Sequence, residues 1–215
     1  MKFTAEDLKV LDNVSNINQS IVFRPGSVLY VGTPNLSVFC RAKLDVVIDR
    51  GFAVFNVKKL LGVLSLFDEP PEIEIDDGKL RLRSGKQSLD YVLGDETLMK
   101  PPPNKDPSVP APVAEFPLKW SDLNTALKAV SLLNLPTVAL TCDGTTIKVV
   151  ARDSSNSSKD KYSVEVGEST AAFDVPLSRT SMKFMSADYV VGAHASYASF
   201  SSDRITYWLP KQIES

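Results

Sequence analysis

The chain runs through one order of elements twice, and that repetition constrains its fold more than any other feature. The first pass opens with AEDLKVLDNVSNIN (5–18), where Leu8, Leu11, Val14 and Ile17 recur at helical spacing and Thr4 is placed to cap the first turn. The second opens with WSDLNTALKAVSLLN (120–134), with Ser121 as cap and Leu123, Leu127, Val130 and Leu133 as the apolar stripe. Strand-like runs follow each helix. In the first half they are SIVF, SVLYVG and LSVFCRAKL, with a turn at Pro25-Gly26. In the second they are TVALTC, TTIKVVAR and KYSVEV, with a turn at Asp143-Gly144.

A second helix is then expected in each half behind a matching tripeptide. Phe55-Asn56-Val57 leads into KKLLGVLSLF, and Phe173-Asp174-Val175 leads into PLSRTSMKFM. Asn56 and Asp174 are good caps, and Pro176 would sit in a first helical turn, where proline is tolerated. Alternating strands close each half: EIEIDDGKLRLR with a hairpin signal at Asp77-Gly78, and SYASFSSDRITYWLP with a turn near Ser202-Asp203. The halves are offset by 115 residues at Asp7/Asp122 and by 118 at Phe55/Phe173. Two readings fit this pattern: a diverged internal duplication, and two generic α+β domains in sequence.

At 215 residues the chain has room for two domains of about 100 residues, each able to bury a core. Between the halves lies MKPPPNKDPSVPAPVAEF (99–116), with six of the fourteen prolines between Pro101 and Pro112. Such spacing stiffens an extended chain toward polyproline II, which suits a strap better than a floppy tether. The expected division is therefore a domain over 1–98, a proline-rich connector over 99–116 and a domain over 117–215. No run approaches the roughly 20 apolar residues that span a bilayer, and MKFTAEDLKVLDNV carries charge where a signal peptide needs an apolar core. Cys40 and Cys142, each inside an apolar run, read as buried thiols of a cytoplasmic protein and cannot alone form a zinc site.

Opposite each apolar stripe stands a cation among small neutral groups. Lys9 has Asn13 and Asn16 beside it; Lys58 has Gly62 and Ser65, with Lys59 at the flank. Lys128 has Asn124 and Ser131, and Arg179 and Lys183 are four residues apart. The acids collect elsewhere, at 68–69, 72–77, 95–96, Glu165 and Glu168, with Glu6 and Asp12 as exceptions at the margin of the first helix. A net charge of −2 leaves room for cations gathered on one surface. Lysine is common on any exposed helix, so ordinary solvation competes here with a sequence-indifferent surface for phosphate backbones.

Catalytic signatures are lacking. His194, the one histidine, lies in GAHASYAS without a triad partner nearby, and there is no phosphate loop, HExxH or GxSxG. Glu72, Glu74 and Asp76 alternate onto the outer face of a strand, as at a solvated edge rather than a metal site.

With a duplicated plan, four cationic helix faces and a connector, the chain resembles the DNA sliding clamps, in particular those of T-even-type tailed bacteriophages. VKKLLGVLSLFDEPPEI (57–73) looks like a helix and exit of that family, and PPPNKDPSVPAP like its connector. SLDYVL (88–93) and YWLPKQIE (207–214) are similar to segments of proliferating cell nuclear antigen. The resemblance covers nearly the whole chain. It implies an α+β clamp fold of two similar domains, each with two helices packed on antiparallel sheets, closing as a homotrimer into a ring around double-stranded DNA. It also implies a non-enzymatic processivity factor with no cofactor, working in the host cell cytoplasm. Such a clamp is loaded by an ATP-dependent clamp loader complex and tethers the phage DNA polymerase.

By position, the DNA-facing residues implied are Lys9, Lys58, Lys59, Lys128, Arg179 and Lys183; the acidic margin at Glu6 and Asp12 departs from a uniformly basic pore at Lys9. The joint between subunits falls on Ser88, Leu89, Tyr91 and Leu93 of one chain against Lys161, Tyr162, Val164 and Val166 of the next. A pocket for partner peptides is implied at Leu36, Val38, Val109, Val113, Trp208, Leu209 and Pro210. Trp208 fits equally as a closure of the second domain's core. A β-rich virion or adaptor protein with no nucleic-acid role is the competing function, and a small hydrolase without a recognisable motif is a third.

Overall fold

The computed structural model describes residues 1–156 and 158–213. The chain divides into two compact units between Asp106 and Pro107, within the proline-rich segment. Both are α+β.

The first unit starts with α1 (Ala5–Ser15), β1 (Ile21–Phe23), β2 (Gly26–Gly32), β3 (Phe39–Ile48) and β4 (Phe52–Val54). It continues with α2 (Val57–Leu64), β5 (Glu72–Asp76), β6 (Lys79–Ser84), β7 (Gln87–Val92) and a 3₁₀ turn over Glu96–Leu98. Helix α1 begins at a reciprocal box. The Thr4 hydroxyl accepts from the Asp7 amide at 3.1 Å, and the Asp7 carboxylate accepts from the Thr4 amide at 2.9 Å. Asp7 is fully buried and also accepts from the amides of Asp45 (2.6 Å) and Val46 (3.3 Å), so one side chain caps α1 and ties it to β3. Val10, Leu11 and Val14 complete the buried face of α1, and Val57, Leu60 and Leu64 that of α2; the two helices pack on each other. Asn56 caps α2, its side-chain oxygen accepting from the Lys59 amide at 2.9 Å.

Strands β1 and β4 pair, β2 and β3 pair with an irregularity between Gly26 and Val28, and β5-β6-β7 form an antiparallel sheet. The hairpin at Asp77-Gly78 forms where the residue pair predicts it, Gly78 supplying φ +74°. Met1 exchanges two backbone hydrogen bonds with Ile73 (2.8 and 2.9 Å), laying the first residues alongside β5.

The second unit comprises β8 (Ala114–Leu118), α3 (Trp120–Leu132), β9 (Thr137–Asp143), β10 (Thr146–Arg152), β11 (Tyr162–Glu168) and β12 (Ala172–Ser178). A 3₁₀ turn over Arg179–Ser181 leads to β13 (Tyr189–Ala193), β14 (Tyr197–Ser201) and β15 (Ile205–Pro210). One sheet has the order β11-β10-β9-β12, with α3 packed on it, and β8, β13, β14 and β15 follow one another antiparallel. Several of its strand pairings have a counterpart in the first unit. β9 pairs with β12 as β1 does with β4, β10 with β11 as β2 with β3, and β8 with β13 as the Met1 end with β5. The repeat is one of topology, and the reading as two generic α+β domains falls.

Three expectations change. Ser121 does not cap α3. The helix starts two residues earlier than that cap implies, at Trp120, whose amide donates to the Asp188 carboxylate at 2.7 Å, a cap delivered from 68 residues away. The last three residues of the 99–116 stretch belong to β8, which begins at Ala114.

The third change is larger, since no α-helix follows Phe173-Asp174-Val175. Residues 172–178 are strand β12, paired antiparallel with β9 along their whole length, with Val175, Pro176 and Leu177 consecutively buried. Asp174 is not a cap but meets Arg152 at 2.8 Å. Pro176 is tolerated because β12 is an edge strand. Its carbonyl accepts from the Gln212 amide at 2.7 Å, so its missing N–H also faces away from β9. Beyond it, Ser178 and Thr180 bond one another at 2.9 Å rather than supporting helix. Phe184 then draws the chain inward, its ring 4.6 Å from Phe200, 5.1 Å from Tyr207 and 5.7 Å from Tyr189.

Candidate functional site

The cations singled out from the sequence stand on helices and turns in both units. In the first, Lys9 on α1 and Lys58 and Lys59 on α2 are all exposed on adjacent, mutually packed helices. Their surroundings differ. Lys9 is paired to Glu6 at 2.7 Å, which offsets its charge on the acidic margin of α1. Lys59 lies 5.9 Å from the centre of the Tyr91 ring, held toward β7. Lys58 has no ion pair among the described residues, and Gly62 and Ser65 beside it are exposed.

In the second unit Lys128 is exposed on α3 next to Ser131. Arg179 stands on the 3₁₀ turn, not on a helix, and its guanidinium donates to the side-chain oxygen of Asn134 at 3.2 Å, just past the end of α3. The fold thus brings Arg179 to the same helix as Lys128. Lys183 is half-buried in irregular chain, so the helical Arg179/Lys183 face does not exist. Leu132, 85% exposed at the end of α3, is an apolar neighbour that the cation pattern did not anticipate.

On β5-β6-β7, Glu74, Asp76 and Asp90 are taken up by cross-strand pairs. Glu74 faces Arg81 in register and Asp76 meets the Arg81 guanidinium at 2.8 Å. The Lys79 ammonium, 2.6 Å from Asp90, holds that carboxyl below its usual range. Glu72 and Glu74 are exposed on the outer face of β5, as the alternation predicts, while Asp76 is half-buried and the ion pairs with Arg81 are not legible in it.

The two segments read as a subunit joint are both sheet edges: β7 ends β5-β6-β7, and β11 ends β11-β10-β9-β12. On β7, Ser88 is exposed and Leu89 half-buried, with Leu93 half-buried just beyond. Tyr91 points inward, 7% exposed, with its hydroxyl on the Asn56 carbonyl at 3.2 Å. Val92, 78% exposed, is the apolar side chain that the edge presents, and its place in the alternation (outward where Tyr91 is inward) was the signal that could have identified it. On β11, Tyr162, Val164 and Val166 are half-buried, and Lys161 precedes the strand exposed.

The expected pocket residues also sort by burial. Leu36 is exposed at φ +53°; with Tyr30, Phe55, Leu98 and Pro101–Pro103 it lines a cavity of about 430 Å³ in the first unit. Val38 and Leu209 are core residues, 1% and 0% exposed, and offer no open wall. Burial also places Trp208 in between, half-buried on β15, with Pro210 exposed after it. Val109 and Val113 are exposed on the connector. Glu214, the last residue of YWLPKQIE, lies outside the described residues. His194 is buried: Tyr197 stacks on it at 3.9 Å with its hydroxyl 2.7 Å from Nδ1, and the Ser199 hydroxyl is 3.4 Å from Nε2.

Comparison with known proteins decides the fold. A. fulgidus PCNA bound to the C-terminal region of FEN-1 superposes with a TM-score of 0.74 at 13% identity, over 97% of this chain and 95% of that one. Entamoeba histolytica proliferating cell nuclear antigen gives 0.73 at 10% identity, over 99% and 98%. The fold is that of the DNA sliding clamps. The chain also resembles the phage members in sequence. It is 24% identical to the sliding clamp of Enterobacteria phage T4 over 195 residues (88% of this chain, 85% of that one) and 25% identical to that of Vibrio phage KVP40 over 221 residues (97% and 98%). No protein-family model matches it.

Proposed function

We infer that this chain is a DNA sliding clamp: a non-catalytic, ring-forming protein that encircles duplex DNA and tethers the replicative polymerase. What carries this reading is the coincidence of two likenesses over nearly the whole chain, one of fold to the clamps and one of sequence to their phage members. A β-rich virion or adaptor protein without a nucleic-acid role is not favoured by either.

The physical logic is loose electrostatic retention. Scattered cations on helices attract phosphates at long range without reading bases, so a duplex is held but not gripped. Lys58 and Lys128, exposed and without ion pairs among the described residues, are the strongest members of that surface; Lys9, Lys59, Arg179 and Lys183 are each engaged by a neighbour. The ring closes as a homotrimer, β7 of one copy adding to β11 of the next, so that two open edges become interior strands. Loading falls to an ATP-driven partner complex in the host cytoplasm, and polymerase peptides dock beside the connector.

The test is topological. On primed circular DNA, with its loader, the protein should raise the replicative polymerase's product length per binding event. On a linear template with free ends that gain should vanish, and blocking both ends should restore it. Equal stimulation on free and blocked linear DNA would rule out encirclement.

A further inference from the structure

Residues 99–113 contain no strand or helix, yet both ends of this stretch are fastened within their own unit. In the first unit, Pro102 lies over Gly32 of β2, where an added Cβ would stand 3.4 Å from the proline ring. Four residues on, the Asp106 carboxylate accepts from the Tyr30 hydroxyl at 3.1 Å and forms an ion pair with Arg41. Tyr30 and Arg41 are opposite each other in the β2/β3 ladder, and Tyr30 stacks on Phe39 at 5.9 Å. Two donors on a rigid strand pair thus converge on one carboxylate of an otherwise irregular segment. In the second unit, Pro112 lies over Gly192, the Tyr197 hydroxyl donates to the Pro110 carbonyl at 3.3 Å, and the Val113 amide donates to Ala193 at 2.7 Å.

We propose that Arg41 and Tyr30 are positioning residues that latch the connector through Asp106, so that Pro107–Val109 is held as a short span whose exposed valine faces incoming peptides. The docking half of this statement rests on the clamp reading; the latch itself does not. Proline stiffness alone leaves the chain free to pivot where Asn104, Lys105 and Asp106 interrupt it, and the carboxylate is the group that removes the pivot. An exposed pair is weak and screened by salt, so the span loosens as ionic strength rises. Holding it in place reduces the ordering that a bound peptide would otherwise have to impose.

A spin label on Ser108→Cys reads the latch directly. Cys40 and Cys142 are buried, and burial pushes the Cys40 thiol up to about 12, so the label reports one site. Arg41→Gln and Asp106→Asn should each sharpen the spectrum as strongly as high salt does. The exchange Arg41→Asp with Asp106→Arg should restore the restricted spectrum. In a second arm, affinity for the cognate replicative polymerase should fall about threefold in the mobile variants and recover in the exchange. An unchanged spectrum in both single variants overturns the latch. Increased mobility with unchanged polymerase affinity overturns its positioning role. Failure of the unaltered protein to bind polymerase would count against the clamp reading instead, since the label needs no partner.

Discussion

Asp7 ties the start of α1 to β3 in the first unit. Its carboxylate satisfies the cap of α1 and two β3 amides in a site without water access. Asp7→Ala leaves those donors buried and unpaired, and should destabilise the protein by about 3 kcal/mol, read as a lowered urea midpoint with unchanged slope. His194 makes the complementary case in the second unit. Burial holds its imidazole below the ordinary value of about 6.5, while contacts with the Pro110 and Ala111 backbone and the Glu115 charge pull the other way. Below that ordinary value the unfolded chain therefore binds more protons than the folded one. Stability should fall as pH drops from about 7 toward 5, by at most about 1.4 kcal/mol per pH unit, and His194→Gln should flatten that segment of the profile. Little of this was legible beforehand. Thr4 could be read as a cap from local spacing, but the reach of Asp7 to β3 and of Asp188 to α3 joins residues that only the fold brings together.

At the scale of elements, what could be read was whatever depends on local periodicity. Helices α1, α2 and α3 and the hairpins at Gly78 and Gly144 lie where spacing and turn residues put them. The supposed fourth helix failed because an apolar run of Val175, Pro176 and Leu177 is ambiguous by period, and neighbouring strands decided it. The site inherits that error. Lys9, Lys58, Lys59 and Lys128 are exposed on true helices, whereas Arg179 reaches the end of α3 through a turn and Lys183 is half-buried. On the proposed clamp reading, the elements expected to bear the DNA surface are α2, through the exposed Lys58, and α3, through the exposed Lys128. Each alanine substitution should weaken binding to short duplexes equally across sequences. It should also lower the slope of log K against log salt by about 0.9 for each phosphate that is no longer neutralised. A slope unchanged in the double variant would remove both helices from the DNA surface.

For the whole molecule, β7 and β11 are two different sheet edges, and on the proposed clamp reading a ring built from them would have one kind of heterologous joint. That asymmetry can be tested by blocking one edge at a time. Val92 is exposed on β7 and Ser163 on β11, so a glutamate at either is tolerated by the folded chain while obstructing strand addition. Val92→Glu alone, and Ser163→Glu alone, should each run near the 23.5 kDa chain mass in native mass spectrometry rather than at three times it. Mixed together, the two variants retain one sound joint, the β7 edge of the Ser163→Glu chain on the β11 edge of the Val92→Glu chain. They should form a one-to-one pair that grows no further, because each remaining edge is blocked. A trimer persisting in either variant alone would place the joint elsewhere. A mixture that stays monomeric would show that β7 and β11 do not meet.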